Sequence, residues 1–211
     1  MIYEMRTYTT LAGGVGVLLD ANEKIGRPVR GDNYGVLEGY WSTEIGPLNK
    51  VVHLWRYDSM AERDRLRAEL GKLPDWTGKY IPAIRPQLVK QEIRFMETIR
   101  EPKRPARDGN LYEFRVYRLQ PGKAGEWLAA AKDMLPAREK YSECVFMWAQ
   151  QSPDPNEVCH LWAYPSFEAR LQARAGAAGD PAFQKFAAFA RPFTIEQTST
   201  LLLPASFSPL K

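Results

Sequence analysis

The sequence is poor in the residues that most often build metal centres and covalent cross-links. Its 211 residues include only two cysteines and two histidines. Two cysteines cannot form a disulfide framework, and a chain of this size does not need one in order to fold. The histidines and cysteines form no cluster with the spacing of zinc ligands, which usually number three or four. We therefore expect neither a disulfide framework nor a metal site.

Long hydrophobic runs and a strong charge of one sign are also missing. No apolar run approaches the roughly 20 residues of a membrane-spanning helix. The opening residues lack the basic and then apolar regions of a signal peptide. The 29 basic and 25 acidic residues leave a net charge of only +4, without the basic patch typical of nucleic-acid binding. These absences predict a cytoplasmic protein that has no membrane span and does not bind nucleic acid.

None of the standard catalytic motifs occurs in the chain. The glycine-rich stretch Gly13-Gly14-Val15-Gly16 lacks the spacing and context of a phosphate-binding loop. Whether the protein is an enzyme therefore stays open at the level of motifs. What is present is apolar material: hydrophobic residues make up 45% of the chain, which excludes a disordered protein and predicts a packed core.

Internal repetition is the dominant feature of the sequence. The segment IYEMRTY at 2–8 recurs as LYEFRVY at 111–117, and HLWRY at 53–57 recurs as HLWAY at 160–164. These offsets, 109 and 107 residues, are too long for a solenoid unit and indicate a duplicated domain. The segment between the copies contains prolines and a glycine but no large apolar residue, as linkers do. The predicted division is a first domain over 1–99, a linker over 100–109 and a second domain over 110–211.

Each copy has the element order β-α-β-β-α-β, which is the ferredoxin-like arrangement. In the first copy a helix with apolar residues at helical spacing follows the opening strand. A second helix begins at the capping box of Ser59 and Glu62. The predicted fold is α+β, with two ferredoxin-like βαββαβ repeats. The strands of the first copy are predicted at about 2–9, 35–43, 50–57 and 88–96, the first helix at about 15–27 and a short helix at about 76–83.

The alternation of side chains along the strands defines two faces of each sheet. One face is aliphatic, and we expect it to bind the helices. The other is polar and aromatic and needs a cover, so we expect the two sheets to pack face to face through it and close as an α/β barrel. In this register Tyr40 lies opposite His53, and Trp41 lies opposite Val52. The predicted aliphatic face is Met5, Leu37, Trp41, Val52, Leu54 and Ile93; the predicted aromatic face is Glu4, Arg6, Tyr8, Glu38, Tyr40, His53, Trp55 and Tyr57.

Several separated blocks resemble the NIPSNAP family. They are the opening strand, the turn TEIGPLN at 43–49, the stretch VHLWRYDS at 52–59 and PDW at 74–76, in that order. The resemblance covers nearly all of the first copy and, more loosely, the second, where QQSPDPN at 150–156 replaces the turn. It implies a dimeric α/β barrel of the ferredoxin-like superfamily and a family of undefined biochemical activity. Better-understood members of that barrel group include cofactor-independent monooxygenases and haem-binding enzymes, an analogy at the level of the fold.

The two histidines, one per copy, are the main candidates for chemistry. His53 is interpreted as a general base beside Tyr8 or Tyr57, or as a haem ligand, because imidazole titrates near neutral pH. The alternative is a hydrogen-bonded residue buried between the sheets. If the Glu-Ile-Gly turn contributes to a site, the first copy is the working half. The catalytic candidates are His53, Tyr8 and Glu44; the binding candidates are Arg6, Tyr40, Trp41, Trp55 and Tyr57.

Other polar features are expected to be structural. Glu4 and Arg6 are predicted to form a cross-strand ion pair, and the mixed charges of 62–67 to form a solvated helix face. Cys144 and Cys159 are predicted to be small buried residues.

Three functions remain open at this stage. The first is binding of a small apolar or aromatic ligand, with monooxygenase-like activity that needs no cofactor, in a pocket between sheet and helices. The second is a non-catalytic structural protein that forms homo-oligomers. The third is haem binding through His53 or His160.

Overall fold

The computed structural model describes all residues from 1 to 211, with the exception of the side chain of Ile99. The first repeat has the predicted element order, and Ser59 caps its third helix by accepting a hydrogen bond from the backbone N–H of Glu62 at 3.1 Å. Its elements are β1 (Ile2–Thr10), α1 (Gly14–Ala21), a π-helical turn (Asn22–Gly26), α2 (Arg27–Arg30), β2 (Val36–Ile45), β3 (Lys50–Tyr57), α3 (Met60–Leu70), a second π-helical turn (Trp76–Tyr80), α4 (Ile81–Ile84) and β4 (Leu88–Arg100).

The second repeat follows after residues 101–110, which form neither helix nor strand. It has the same order of strands, but its first helix is one continuous element. Among the helices that the structure describes, none is long and apolar enough to cross a membrane. The elements are β5 (Leu111–Leu119), α5 (Ala124–Arg138), β6 (Glu143–Ser152), β7 (Glu157–Tyr164), α6 (Phe167–Gly179), α7 (Pro181–Ala190) and β8 (Thr194–Pro204).

All eight strands close into one antiparallel barrel in the order β1-β3-β2-β8-β5-β7-β6-β4. Within each repeat the sheet has ferredoxin-like pairing, and the two sheets join through β2 with β8 and through β4 with β6. The predicted barrel is therefore confirmed, and both halves come from the same chain.

The two faces of the sheets are the reverse of the prediction. The predicted cross-strand pairs are present, since Tyr40 lies opposite His53 and Trp41 lies opposite Val52. However, the aliphatic face lines the barrel interior, where side chains of both repeats meet, and the polar and aromatic face lies under the helices. The interior includes Met5, Trp41, Val52 and Leu54 with Phe114, Phe146, Trp148 and Leu161; the layer under the helices of the first repeat includes Tyr8, Tyr40, Trp55 and Tyr57.

Two members of the predicted aliphatic face lie with the helices for local reasons. A β-bulge between Leu37 and Gly39 interrupts the alternation of β2, so Leu37 packs with Trp55 under the helices. Ile93 pairs with Arg6 and therefore shares its face. The physical reason for the reversal is that the charged side chains of one face need hydrogen-bond and ion-pair partners. The barrel interior offers no partners for charged groups, whereas the helices supply arginines.

The two cysteines are fully buried and free, as predicted. Cys159 lies in the barrel interior and Cys144 lies under the helices of the second repeat. Burial raises the pKa of both thiols to about 12, so they behave as small apolar residues at neutral pH.

Candidate functional site

Each repeat encloses a cavity between its sheet and its helices. The cavity of the first repeat has a volume of about 200 Å³ and that of the second about 460 Å³. Equivalent positions of the two copies line them, including His53 and His160. The larger cavity therefore belongs to the copy that lacks the Glu-Ile-Gly turn.

Both histidines are held by a tryptophan two residues further along the same strand. Trp55 Nε1 donates to His53 Nδ1 at 2.6 Å, and Trp162 Nε1 donates to His160 Nδ1. An indole nitrogen can only donate, so Nδ1 carries a lone pair and the proton of the neutral ring lies on Nε2. Each cavity is thus lined by a histidine whose remaining polar atom is an N–H donor.

The charge state of these histidines follows from their surroundings. Burial and, to a smaller extent, Arg115 lower the pKa of His160 to about 3. Burial and Arg6 likewise hold the pKa of His53 well below its usual value. Both rings are therefore neutral at physiological pH. A general base or an iron ligand would need the lone pair on Nε2, which conflicts with the tryptophan hydrogen bond, so the residues present do not fit haem.

Three arginines surround a buried carboxylate in each sheet. In the first repeat, Glu4 is fully buried and lies 2.9 Å from Arg6 Nη1. Arg63 Nε also donates to it, and Arg67 Nη1 lies 3.8 Å away. Two expectations were wrong here. The pair Glu4–Arg6 runs along one strand, because alternate residues share a face, and α3 directs Arg63 toward the sheet instead of into solvent.

The second repeat has the same cluster around Glu113. Its carboxylate accepts hydrogen bonds from Arg115 at 2.9 Å and Arg170 at 2.7 Å. Ser199 Oγ also donates to it at 2.6 Å, and Arg174 lies 3.4 Å away. Burial alone would raise the pKa of Glu113, but these donors hold it at about 2. The carboxylate is therefore ionised and is outnumbered by guanidinium groups.

A further buried arginine lies over the tryptophan of each repeat. Arg138 lies 4.5 Å from the Trp162 ring and donates to Tyr164 Oη at 3.1 Å. Arg30 stacks on Trp55 and donates to Tyr57 Oη at 2.7 Å, and burial lowers its pKa to about 10. The sequence analysis missed both arginines. They are 108 residues apart, so the repeat offset itself was the signal that could have found them.

Five of the predicted site residues meet in the first cavity, and three do not. Trp41 points into the barrel interior and is fully buried there. Glu44 is exposed near the end of β2, and Tyr57 is buried beneath Arg30 without lining the cavity. The residues that line it are Arg6, Tyr8, Tyr40, His53 and Trp55.

Side-chain size explains why the two cavities differ. In the first repeat the ring of Tyr40 stacks on His53 with a centroid distance of 5.0 Å. The second repeat has Met147 opposite His160 instead. Helix α4 contributes Ile81 and Ile84, whereas the equivalent positions of α7 are alanines. The second cavity is consequently open where the first is filled. Its alanines are Ala177, Ala178, Ala187 and Ala190.

Two ferredoxin-like repeats that close into one barrel, with cavities under their helices, define the chain as an α/β-barrel protein of the ferredoxin-like class. The NIPSNAP family model matches residues 3–100 and, a second time, residues 112–209. The chain belongs to the NIPSNAP family.

Relatives support this assignment along the whole chain. The human protein NipSnap homolog 3B is 30% identical over 99% of this chain and 85% of its own length. A NipSnap homolog of Dictyostelium discoideum is 26% identical over 82% and 74% respectively. Among solved structures, an anthrone oxidase-like protein covers 100% of this chain and 94% of its own, with a TM-score of 0.69 at 13% identity. A Fusobacterium nucleatum protein, described provisionally as a monooxygenase, covers 97% and 92%, with a TM-score of 0.71 at 11% identity. These two structures share the fold.

Proposed function

We propose that this NIPSNAP-family protein binds a small, largely apolar organic molecule in the cavity of its second repeat. The observation that carries the proposal is the volume of about 460 Å³ beside a neutral histidine donor. This volume lies in the range of about 300–1,000 Å³ that is typical of small-molecule sites, and the first cavity lies below it. The apolar walls of the second cavity are Trp127, Met134, Met147, Trp162, Phe183 and Phe186.

His160 orients the ligand in this proposal. Trp127 stacks on one face of its ring, with a centroid distance of 5.9 Å, and Trp162 donates a hydrogen bond to its Nδ1 atom. A rigid N–H donor in an apolar pocket selects a ligand with an acceptor oxygen, because an unpaired polar group is costly in such surroundings.

The test is a cavity-filling substitution with a matched control. N-phenyl-1-naphthylamine, a neutral probe that fluoresces in apolar sites, is titrated into the purified protein. Ala187→Phe places a ring in the second cavity and is expected to weaken binding at least about tenfold, a loss of about 1.4 kcal/mol. Ile81→Phe makes the equivalent change in the first repeat and is expected to leave binding unchanged. Equal binding by A187F and by the unaltered protein would contradict the proposal.

Oxygenation of the bound molecule is the second candidate. It is supported by the barrel neighbours, one of which is an anthrone oxidase-like protein. Without a cofactor, the substrate must supply the electrons, so a methylene group that can lose a proton reacts with O₂ to give a carbonyl group and water. Arginines beside the cavity would stabilise the anion that precedes this step. Anthrone is the substrate to test, with one O₂ consumed per methylene and the uptake lost in Arg115→Gln. Uptake no faster than in buffer would rule out this candidate and leave the binding proposal standing.

A further inference from the structure

The charged residues that line the two cavities are all of one sign. Four arginines and no carboxylate line each cavity, among all the side chains that the structure describes there. In the first repeat they lie in β1, in α2, in α3 and in the turn before β4. In the second repeat they lie in β5, in α5, in α6 and in the turn before β8. The four in the second repeat are Arg115, Arg138, Arg174 and Arg191, and their equivalents in the first are Arg6, Arg30, Arg67 and Arg85.

The two copies differ at many other lining positions. Tyr40 corresponds to Met147, and Ile81 corresponds to Ala187. The neighbouring carboxylate does not cancel the positive charge, because Glu113 already faces Arg115, Arg170 and Arg174. Two of the four arginines of the second cavity, Arg115 and Arg138, are buried, and buried positive charge is costly unless an anion accompanies it. The wall of the second cavity is therefore built for negative charge.

One arginine of the second cavity also has an unused donor. In the first repeat, Arg6 Nε donates to Tyr8 Oη at 2.8 Å. In the second, Nε of the equivalent Arg115 is buried and has no hydrogen-bond partner among the described atoms. Arg115 lines the cavity, and its guanidinium group donates to Glu113 through Nη1, so its Nη2 group is available to an acceptor inside the cavity.

We propose that the ligand of the second cavity is an organic anion, with a carboxylate, sulfonate or phenolate group bound by Arg115 and Arg174 and an apolar ring body against Trp127 and Phe186. This inference rests on the proposed function and narrows its ligand class. Guanidinium groups bind such oxygens through charge-assisted hydrogen bonds, which are roughly twice as strong as neutral ones. The Nε2–H of His160 adds a third donor, and the negative charge of the ligand offsets part of the positive charge of the arginines.

Two probes that share one ring system separate charge from shape. 8-Anilinonaphthalene-1-sulfonate carries a sulfonate on nearly the same body as neutral N-phenyl-1-naphthylamine. We expect the sulfonate to bind at least about tenfold more tightly, a difference of about 1.4 kcal/mol. Ala187→Phe is expected to weaken both probes, which localises them to the second cavity.

Single charge removals complete the test. Arg174 is 40% exposed, and Arg174→Gln leaves two arginines on Glu113, so the fold should persist. It is expected to weaken the sulfonate about tenfold and the neutral probe not at all. Arg118→Gln removes the same charge from a surface pair with Glu196 and is expected to change neither. Equal affinities for the two probes, unaffected by R174Q, would overturn the anion inference alone. Failure of both probes to bind in the cavity would overturn the proposed function as well.

Discussion

Trp162 donates its indole N–H to Nδ1 of His160, two residues earlier on the same strand, and Trp55 and His53 repeat this arrangement. Alternate residues of a strand share a face, so the sequence His-Leu-Trp places both rings side by side and turns the leucine into the barrel interior. The tautomer of each histidine is thereby built into the strand. Three consecutive residues therefore fix the tautomer of the histidine that lines each cavity.

Substitution of the donor should release this constraint. In Trp162→Phe, Nδ1 of buried His160 loses its partner, and we expect the free energy of unfolding to fall by about 1–3 kcal/mol, the usual cost of an unsatisfied buried group, in addition to the effect of lost volume. Nitrogen-15 NMR of the imidazole should change from a pure Nε2–H form to a mixture of tautomers. Trp41→Phe is the control for volume, since Trp41 Nε1 has no hydrogen-bond partner among the described atoms. An unchanged imidazole spectrum in W162F would contradict the assignment.

The neutral histidines predict a loss of stability in mild acid. The pKa of His160 is about 3 in the folded protein against 6.5 for an ordinary histidine, so between these pH values the unfolded chain binds a proton that the folded chain does not. The free energy of unfolding is therefore highest above pH 6.5 and declines as the pH falls from 6.5 toward 3. Each histidine contributes a slope of up to about 1.4 kcal/mol per pH unit.

Urea unfolding between pH 7 and pH 5 is the measurement for this prediction, because the carboxylates titrate below that window. His160→Gln should reduce the slope by about half, since His53 remains. A slope that is the same in H160Q and in the unaltered protein would show that His160 takes up its proton without unfolding.

The buried carboxylates should be worth far more than surface ones. Glu113→Gln leaves Arg115, Arg170 and Arg174 without their counter-charge, and breaking a buried ion pair in this way typically costs about 3–5 kcal/mol. Glu196→Gln is the matched control, because its partner Arg118 is a surface residue, and such pairs contribute at most about 1 kcal/mol. Chemical denaturation of both variants gives the comparison. Similar losses in the two would mean that the arginines find water or other acceptors.

The sequence predicted the architecture better than the placement of its faces. The duplication, the ferredoxin-like order and the register of Tyr40 opposite His53 could be derived because they depend on local patterns and turn lengths. The orientation of the sheets could not, because the face predicted to be aliphatic also carries large aromatic residues such as Trp41 and Trp148, and only the helix arginines distinguish the two faces. The sequence predicted that Arg63 and Arg67 belong to a solvated helix face, because it does not show that the buried Glu4 lies beneath them.

The volumes of the cavities could not be predicted from the sequence either, because they depend on differences in side-chain size at equivalent positions of the two repeats. Tyr40 against Met147 and Ile81 against Ala187 decide which repeat is open. In sequence, the first copy matched the family pattern more closely and therefore looked like the working half. How closely a copy matches the family pattern therefore does not indicate the volume of its cavity.

Both repeats have a β-bulge in their second strand, but the residue that follows the bulge differs between them. Gly39 and Phe146 are equivalent, since each pairs with a leucine of the next strand. Phe146 stacks on Trp148 with a centroid distance of 3.7 Å, whereas a Cβ atom at Gly39 would overlap the ring of Trp41. Trp41 therefore occupies the space that a side chain at position 39 would need.

Gly39→Ala should consequently be destabilising although alanine is small and the site is apolar. Trp41 is fully buried and cannot move without displacing its neighbours, and overpacking of this kind costs about 1–3 kcal/mol. Gly16→Ala is the control: it lies in α1 with open space around it, and alanine in a helix is expected to gain about 0.5–1 kcal/mol over glycine. Thermal unfolding of the two variants should therefore shift in opposite directions, and a neutral G39A would show that the ring of Trp41 has an alternative position within the barrel.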